Sequence, residues 1–280
     1  MKLKEKIKKI HPMYYISFFL PLVIMIAIFA VRGIFPFGDN VYLRSDMYHQ
    51  YCPFFSELWD KIRNGGSLFY SWEAGLGSNF TALYGYYLSS PLNWFIGFFP
   101  HNYIIELMNI IILIKLSLAS TAFTYYIDKR FNTQNITISI FGMFYALSGF
   151  TAAFSWNLMW FDCVLLLPLV LLGLERLVNE DKGILYTVTL GLTILSNYYI
   201  AIMVCISLVF YFLVMLITMP VPEKKSVYLQ KIGYFTLFSL LAGALSAAIL
   251  LPELYALGLT ASSDISFPKT LTQYFSVVTV

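Results

Sequence analysis

Charge is what this chain has least of. Only 12% of its 280 residues are Asp, Glu, Lys or Arg, where a soluble domain carries roughly 25%. Cysteine is also scarce: Cys52, Cys163 and Cys205 stand apart with no CxxC pair, and His11, His49 and His101 form no HExxH. A disulfide framework and a zinc site are thereby disfavoured. No Walker A loop, GxGxxG, GxSxG or kinase signature occurs, which argues against nucleotide chemistry. The net charge is +3, and nothing in its distribution points to nucleic acid.

What the chain does have is apolar sequence, 59% of it, with a mean hydropathy of +0.72. The apolar runs are long and continuous rather than alternating over ten residues, so helices, not a barrel, satisfy the backbone inside lipid. The expected fold is an all-α polytopic membrane protein forming a single transmembrane domain over 1–280. The start, MKLKEKIKK, is basic and leads into an apolar run longer than the ~7–15 residues of a signal-peptide core, with no A-x-A site after it. It reads as an uncleaved signal anchor.

About seven spans are expected, at residues 13–32, 104–127, 136–154, 163–174, 184–198, 200–219 and 233–251. The uncharged stretch 183–222 would run about 60 Å as one helix, twice the hydrocarbon thickness. It is flanked by Lys182 on one side and Lys224 and Lys225 on the other, so both ends belong in the cytoplasm and the chain turns back near Ser196-Asn197-Tyr198-Tyr199. The stretch 131–174 behaves likewise, with SWNLMWFD (155–162) as its outer turn. The amino terminus is then cytoplasmic, the protein lies in the cell membrane, and 35–103 is one large outer loop.

Within that loop, Ser45 is placed to cap a helix whose first turn holds Asp46, and Tyr48, Tyr51, Phe55, Leu58 and Ile62 recur at helical spacing before Gly65-Gly66. This amphipathic helix is expected to lie along the membrane surface, kinked at Pro53. All five tryptophans, Trp59, Trp72, Trp94, Trp156 and Trp160, fall on the outer side. An interfacial belt explains them, but belts occupy both surfaces; the one-sidedness favours a platform for a flat face such as a sugar ring.

Most carboxylates are also outside. Asp39, Asp46 and Asp162 sit near membrane ends among bulky apolar neighbours, where desolvation favours use as a base. Lys115 lies mid-span, a costly place for an ammonium, which calls for a phosphate, an inward carboxylate or a structural ion pair. Arg32 and Arg44 bracket the loop entry at headgroup depth.

The short motifs Gly38-Asp39, Asp46-Met-Tyr-His-Gln-Tyr51, Pro53-Phe54-Phe55, Trp72, Gly75-Leu-Gly77-Ser-Asn79, Tyr86-Tyr87, Ser90-Pro91, Leu147-Ser-Gly149, Trp156-Asn157, Asn197-Tyr-Tyr199 and Leu251-Pro252 together resemble the bacterial YfhO family, within the GT-C superfamily of polyprenyl-phosphate-sugar-dependent glycosyltransferases. The resemblance implies a longer chain with further spans than the seven here, which end in QYFSVVTV. It also implies a lipid-linked sugar donor such as one on undecaprenyl phosphate, and a cell-envelope acceptor at the outer face.

By the same resemblance Asp46 is the general base. Asp39 positions acceptor or a divalent cation, the one cofactor left open, and Arg44 or Lys115 takes the phosphate. Tyr48, Gln50, Asn79 and Asn157 offer partners to sugar hydroxyls, and Trp72, Trp156 and Asp162 complete the substrate-binding set. Two other readings stay open. A flippase or other transporter would use the intramembrane lysine, and a non-catalytic scaffold would use none of these side chains.

Overall fold

A computed structural model of the chain describes residues 10–220 and 225–259. Helix α1, Pro12–Val31, starts on a proline that needs no hydrogen-bond partner, after His11, whose ring accepts from the Met13 N–H at 3.3 Å. It is apolar on all sides, and most of its surface is free to face lipid. At its first turn the Tyr14 hydroxyl donates to Asp128 Oδ2 (2.6 Å) and the Ser139 hydroxyl donates to the Met13 carbonyl (2.7 Å).

The loop that follows folds over one end of the bundle. Its main helix, Cys52–Asp60 (α2), is entered through a π-helical turn, Met47–Tyr51, and left through another, Lys61–Gly65. Strands β1 (Tyr70–Ser71) and β2 (Ser78–Asn79) form a small antiparallel hairpin, pairing Tyr70 with Asn79. A short helix, Phe80–Leu83 (α3), then runs into a third π-helical turn, Tyr84–Leu88, and 3₁₀ turns at Pro91–Phe98 and His101–Tyr103 return the chain to the bundle.

The long helix Ile104–Phe131 (α4) is the axis, buried over most of its length and packed by α1, by Thr137–Ala146 (α5), which Gly149–Phe154 (α6) follows after a break, and by Phe161–Glu180 (α7). Ile184–Ser196 (α8), Tyr198–Thr218 (α9) and Ser226–Leu245 (α10) complete the bundle. Ala247–Leu257 (α11) turns off α10 by 80° and lies over α3.

Five of these segments are long and apolar enough to cross a membrane, and the bent α10–α11 pair makes up to six. The expected span at 184–198 is a 13-residue helix, about 20 Å long and short of a ~30 Å core. Asn197 alone makes the expected turn at 196–199, its side chain accepting from the Ile200 N–H at 2.9 Å.

Two apolar cores result. One lies among α7 to α10 and includes Leu174, Tyr186, Leu208 and Phe212. The other lies under the loop, where Met47, Tyr51, Phe55 and Leu58 are fully buried against α1, α4 and Leu158–Phe161. The apolar stripe of the loop helix thus faces protein rather than the membrane surface. Ser45 does not cap it: it sits at φ +47°, and the helix starts without a side-chain cap. Pro53 falls in the first turn of α2, where its missing N–H is tolerated.

Candidate functional site

Asp46 stands at the head of the first π-helical turn, half-buried, with its backbone fixed by the helix it starts. The same turn carries Gln50 and Tyr51. The Tyr51 hydroxyl donates to Asn157 Oδ1 at 3.1 Å, and the Tyr87 hydroxyl donates to Gln50 Oε1 at 2.8 Å. Tyr51 and Tyr86 each meet the Tyr87 ring edge-on, at 5.5 and 4.7 Å between centroids.

Burial pushes the pKa of the Tyr51, Tyr86 and Tyr87 hydroxyls up, and the charge on Asp46 adds to the effect at all three. These hydroxyls therefore stay protonated and act as donors. Asn157 is buried, and its Nδ2 has no acceptor among the described residues; the same is true of Trp160 Nε1. An acidic residue, tyrosine hydroxyls held protonated and two buried donors without an acceptor among the described residues, Asn157 Nδ2 and Trp160 Nε1, are suited to holding a polyhydroxylated ligand.

One layer deeper, Lys115 and Asp162 pair at 2.5 Å, their side chains 0% and 7% exposed. Lys115 also donates to the Leu158 carbonyl (3.1 Å), and Ser90 donates to the other Asp162 oxygen (2.8 Å). The pair ties α4 to α7 and to the loop directly beneath Asn157. Its geometry is that of the inward carboxylate and structural ion pair, not of a free phosphate ligand.

The remaining expected residues are dispersed. Asp39 and Arg44 are exposed on the loop entry, Tyr48 is 65% exposed, and Trp156 packs half-buried on the loop core. Asn79 accepts from the Ala82 N–H and caps α3 (3.2 Å), and Trp72 projects from the hairpin. Among the described residues no three His, Cys, Asp or Glu side chains converge as a metal site.

A further buried carboxylate, Glu253, lies at this end of the bundle. It is 4% exposed on α11, bonded to Tyr198, with Oε2 unpartnered among the described residues and packed on Gly85. A lone carboxylate directly after Leu251-Pro252 was its only signal in the sequence.

Residues 17–279 match the family model described as bacterial membrane protein YfhO. No curated protein and no solved structure matches the chain.

Proposed function

Since the chain belongs to the YfhO family of bacterial membrane proteins, we propose that it is a glycosyltransferase of the cell membrane that moves a sugar from a polyprenyl-phosphate carrier to a cell-envelope acceptor. The amino terminus is cytoplasmic and the 35–103 loop faces outward, in line with the placement of Lys and Arg. The observation that carries this reading is Asp46, held on a fixed helix start at the loop end of the bundle, beside three protonated tyrosines and the free amide of Asn157.

In this reading Asp46 takes the proton of the acceptor hydroxyl as its oxygen bonds to the anomeric carbon. The bond from that carbon to the phosphate oxygen breaks, and the electron pair leaves with the lipid phosphate. Arg44, exposed at the loop entry, is the cation assigned to the departing phosphate. Lys115 is not, because its charge is already spent on Asp162. Gln50 keeps its amide N–H groups, and Asn157 its Nδ2, for sugar hydroxyls.

The test is sugar transfer in detergent, from a polyprenyl-phosphate-linked hexose to isolated envelope polymer, with Asp46→Asn beside wild type. A transferase works without a sealed compartment, whereas a translocator does not. The expected loss is about 10²–10⁴-fold with insertion unchanged; transfer by the variant at the wild-type rate removes Asp46 from the role.

A further inference from the structure

The loop holds a cleft that the proposed reaction leaves unused. It lies between the carboxyl-terminal half of the loop helix and the β-hairpin and measures about 460 Å³, within the range of small-ligand sites. Its floor is already satisfied. Lys61 pairs with Glu57 Oε1 at 3.0 Å and donates to the Ser67 and Tyr70 carbonyls, while Ser71 donates to the same Glu57 oxygen at 2.7 Å.

The rim is different. Asp60, Asn64 and Glu73 are exposed there, linked only by a long bond from Asn64 Nδ2 to Asp60 Oδ1 at 3.4 Å, and beside them stands Trp72 with 77% of its surface free.

Trp72 is held in place. Its ring meets Tyr70 edge-on at 4.9 Å and 72°. The room for the pair comes from Gly77, at φ +106°, where a β-carbon would collide with the Tyr70 hydroxyl and lie 3.2 Å from the indole. The turn is therefore shaped around the two rings, and Trp72 lines the cleft with most of its surface free.

The charges select the class of ligand. Glu57, Asp60 and Glu73 face one lysine, so an anionic headgroup or phosphate polymer is repelled. Hydrocarbon would leave the rim carboxylates desolvated. A neutral pyranose suits both halves: its C–H face covers the indole while its hydroxyls bond to carboxylate and amide.

We propose that this cleft is a docking subsite for a neutral saccharide unit, with Trp72 as stacking platform and Asp60, Asn64 and Glu73 as hydroxyl partners. It rests on the transferase reading for its purpose, a second foothold for the glycan being handled, but its test reads binding alone.

That test is saturation-transfer NMR and titration of the full chain in detergent micelles with neutral tetrasaccharides of glucose, galactose and N-acetylglucosamine. One or more is expected to bind with its ring protons saturated. Trp72→Ala should weaken it about tenfold, Trp72→Phe less, and Asp60→Asn with Glu73→Gln should weaken it without lowering the unfolding temperature.

No binding by wild type overturns the proposal. So does equal binding by Trp72→Ala, or a Trp72→Ala defect confined to lipid vesicles, which would mark an interfacial anchor. Transfer assays on Asp46→Asn are independent of this result. Failed transfer by the wild-type chain with intact saccharide binding would sink the reaction and keep the subsite, and the converse would do the opposite.

Discussion

The ammonium of Lys115 and the carboxylate of Asp162 meet at 2.5 Å across 47 residues of sequence, inside the bundle and out of reach of solvent. Each neutralises a charge that would otherwise be stranded among Ile, Leu and Phe side chains, and the Ser90 hydroxyl and the Leu158 carbonyl complete their bonding.

Removing one partner leaves the other uncompensated. Lys115→Met or Asp162→Leu alone is expected to destabilise by ~3–5 kcal/mol, whereas the double replacement Lys115→Met with Asp162→Leu should recover most of that loss. Thermal unfolding in detergent measures all three. Equal destabilisation by single and double variants would contradict a mutual pair.

Alkaline pH is expected to loosen the loop. Burial raises the pKa of Tyr51, Tyr86 and Tyr87 above the ordinary 10.0, so the folded state favours their protonated forms. The stabilisation is complete below about pH 10. It is lost as pH rises from there toward the folded values, because the unfolded chain ionises first. The tyrosinate absorbance owed to these rings, read as the difference between wild type and Tyr51→Phe, should appear together with unfolding; its appearance in a still-folded protein would refute this.

Two glycines should respond oppositely to alanine. A β-carbon on Gly173 would lie 2.5 Å from the Tyr186 nitrogen and 2.6 Å from its Cα, backbone atoms that cannot swing aside. Gly173→Ala must part α7 from α8, at a cost of about 1–3 kcal/mol or more. Gly233, in α10, has nothing within 4 Å, and Gly233→Ala should be neutral or stabilising by up to ~1 kcal/mol. The two unfolding midpoints decide it.

Gly85→Ala probes the contact beneath the tyrosines. Its β-carbon would fall 2.8 Å from Glu253 Oε2 and 3.1 Å from Ile249, pushing α11 away from the loop. Stability should drop by about 1–3 kcal/mol, and Gly85→Ala combined with Glu253→Ala should lose less than the two separate changes added together. Additive losses would show that the glycine and the carboxylate do not share this contact.

The bundle was legible in the sequence because a long apolar run has few alternatives in lipid. The loop helix was legible through the three- and four-residue spacing of Tyr51, Phe55 and Leu58. Pairing across the chain was not. Lys115 called for an inward carboxylate, but nothing local marks Asp162 as that partner. The tyrosine wall was hidden for a related reason: Tyr51 reads as one more apolar stripe residue, and only the packing of Tyr84–Leu88 against it shows that its hydroxyl meets Asn157. The sequence placed Asn79 with the ligand partners, and its side-chain oxygen turns out to cap a helix.

The wide turn Met47–Tyr51 acts as a phase shifter. An ordinary helical residue advances the chain by about 100°, and a π-helical turn holds more residues than an α-helical one. Excising a single residue such as the exposed His49 would restore regular winding and swing Asp46 around the axis, away from the hydroxyls it now faces, while the buried ring of Tyr51 stayed put. A loop segment of the kind that ordinarily tolerates indels is thus constrained here in its number of residues.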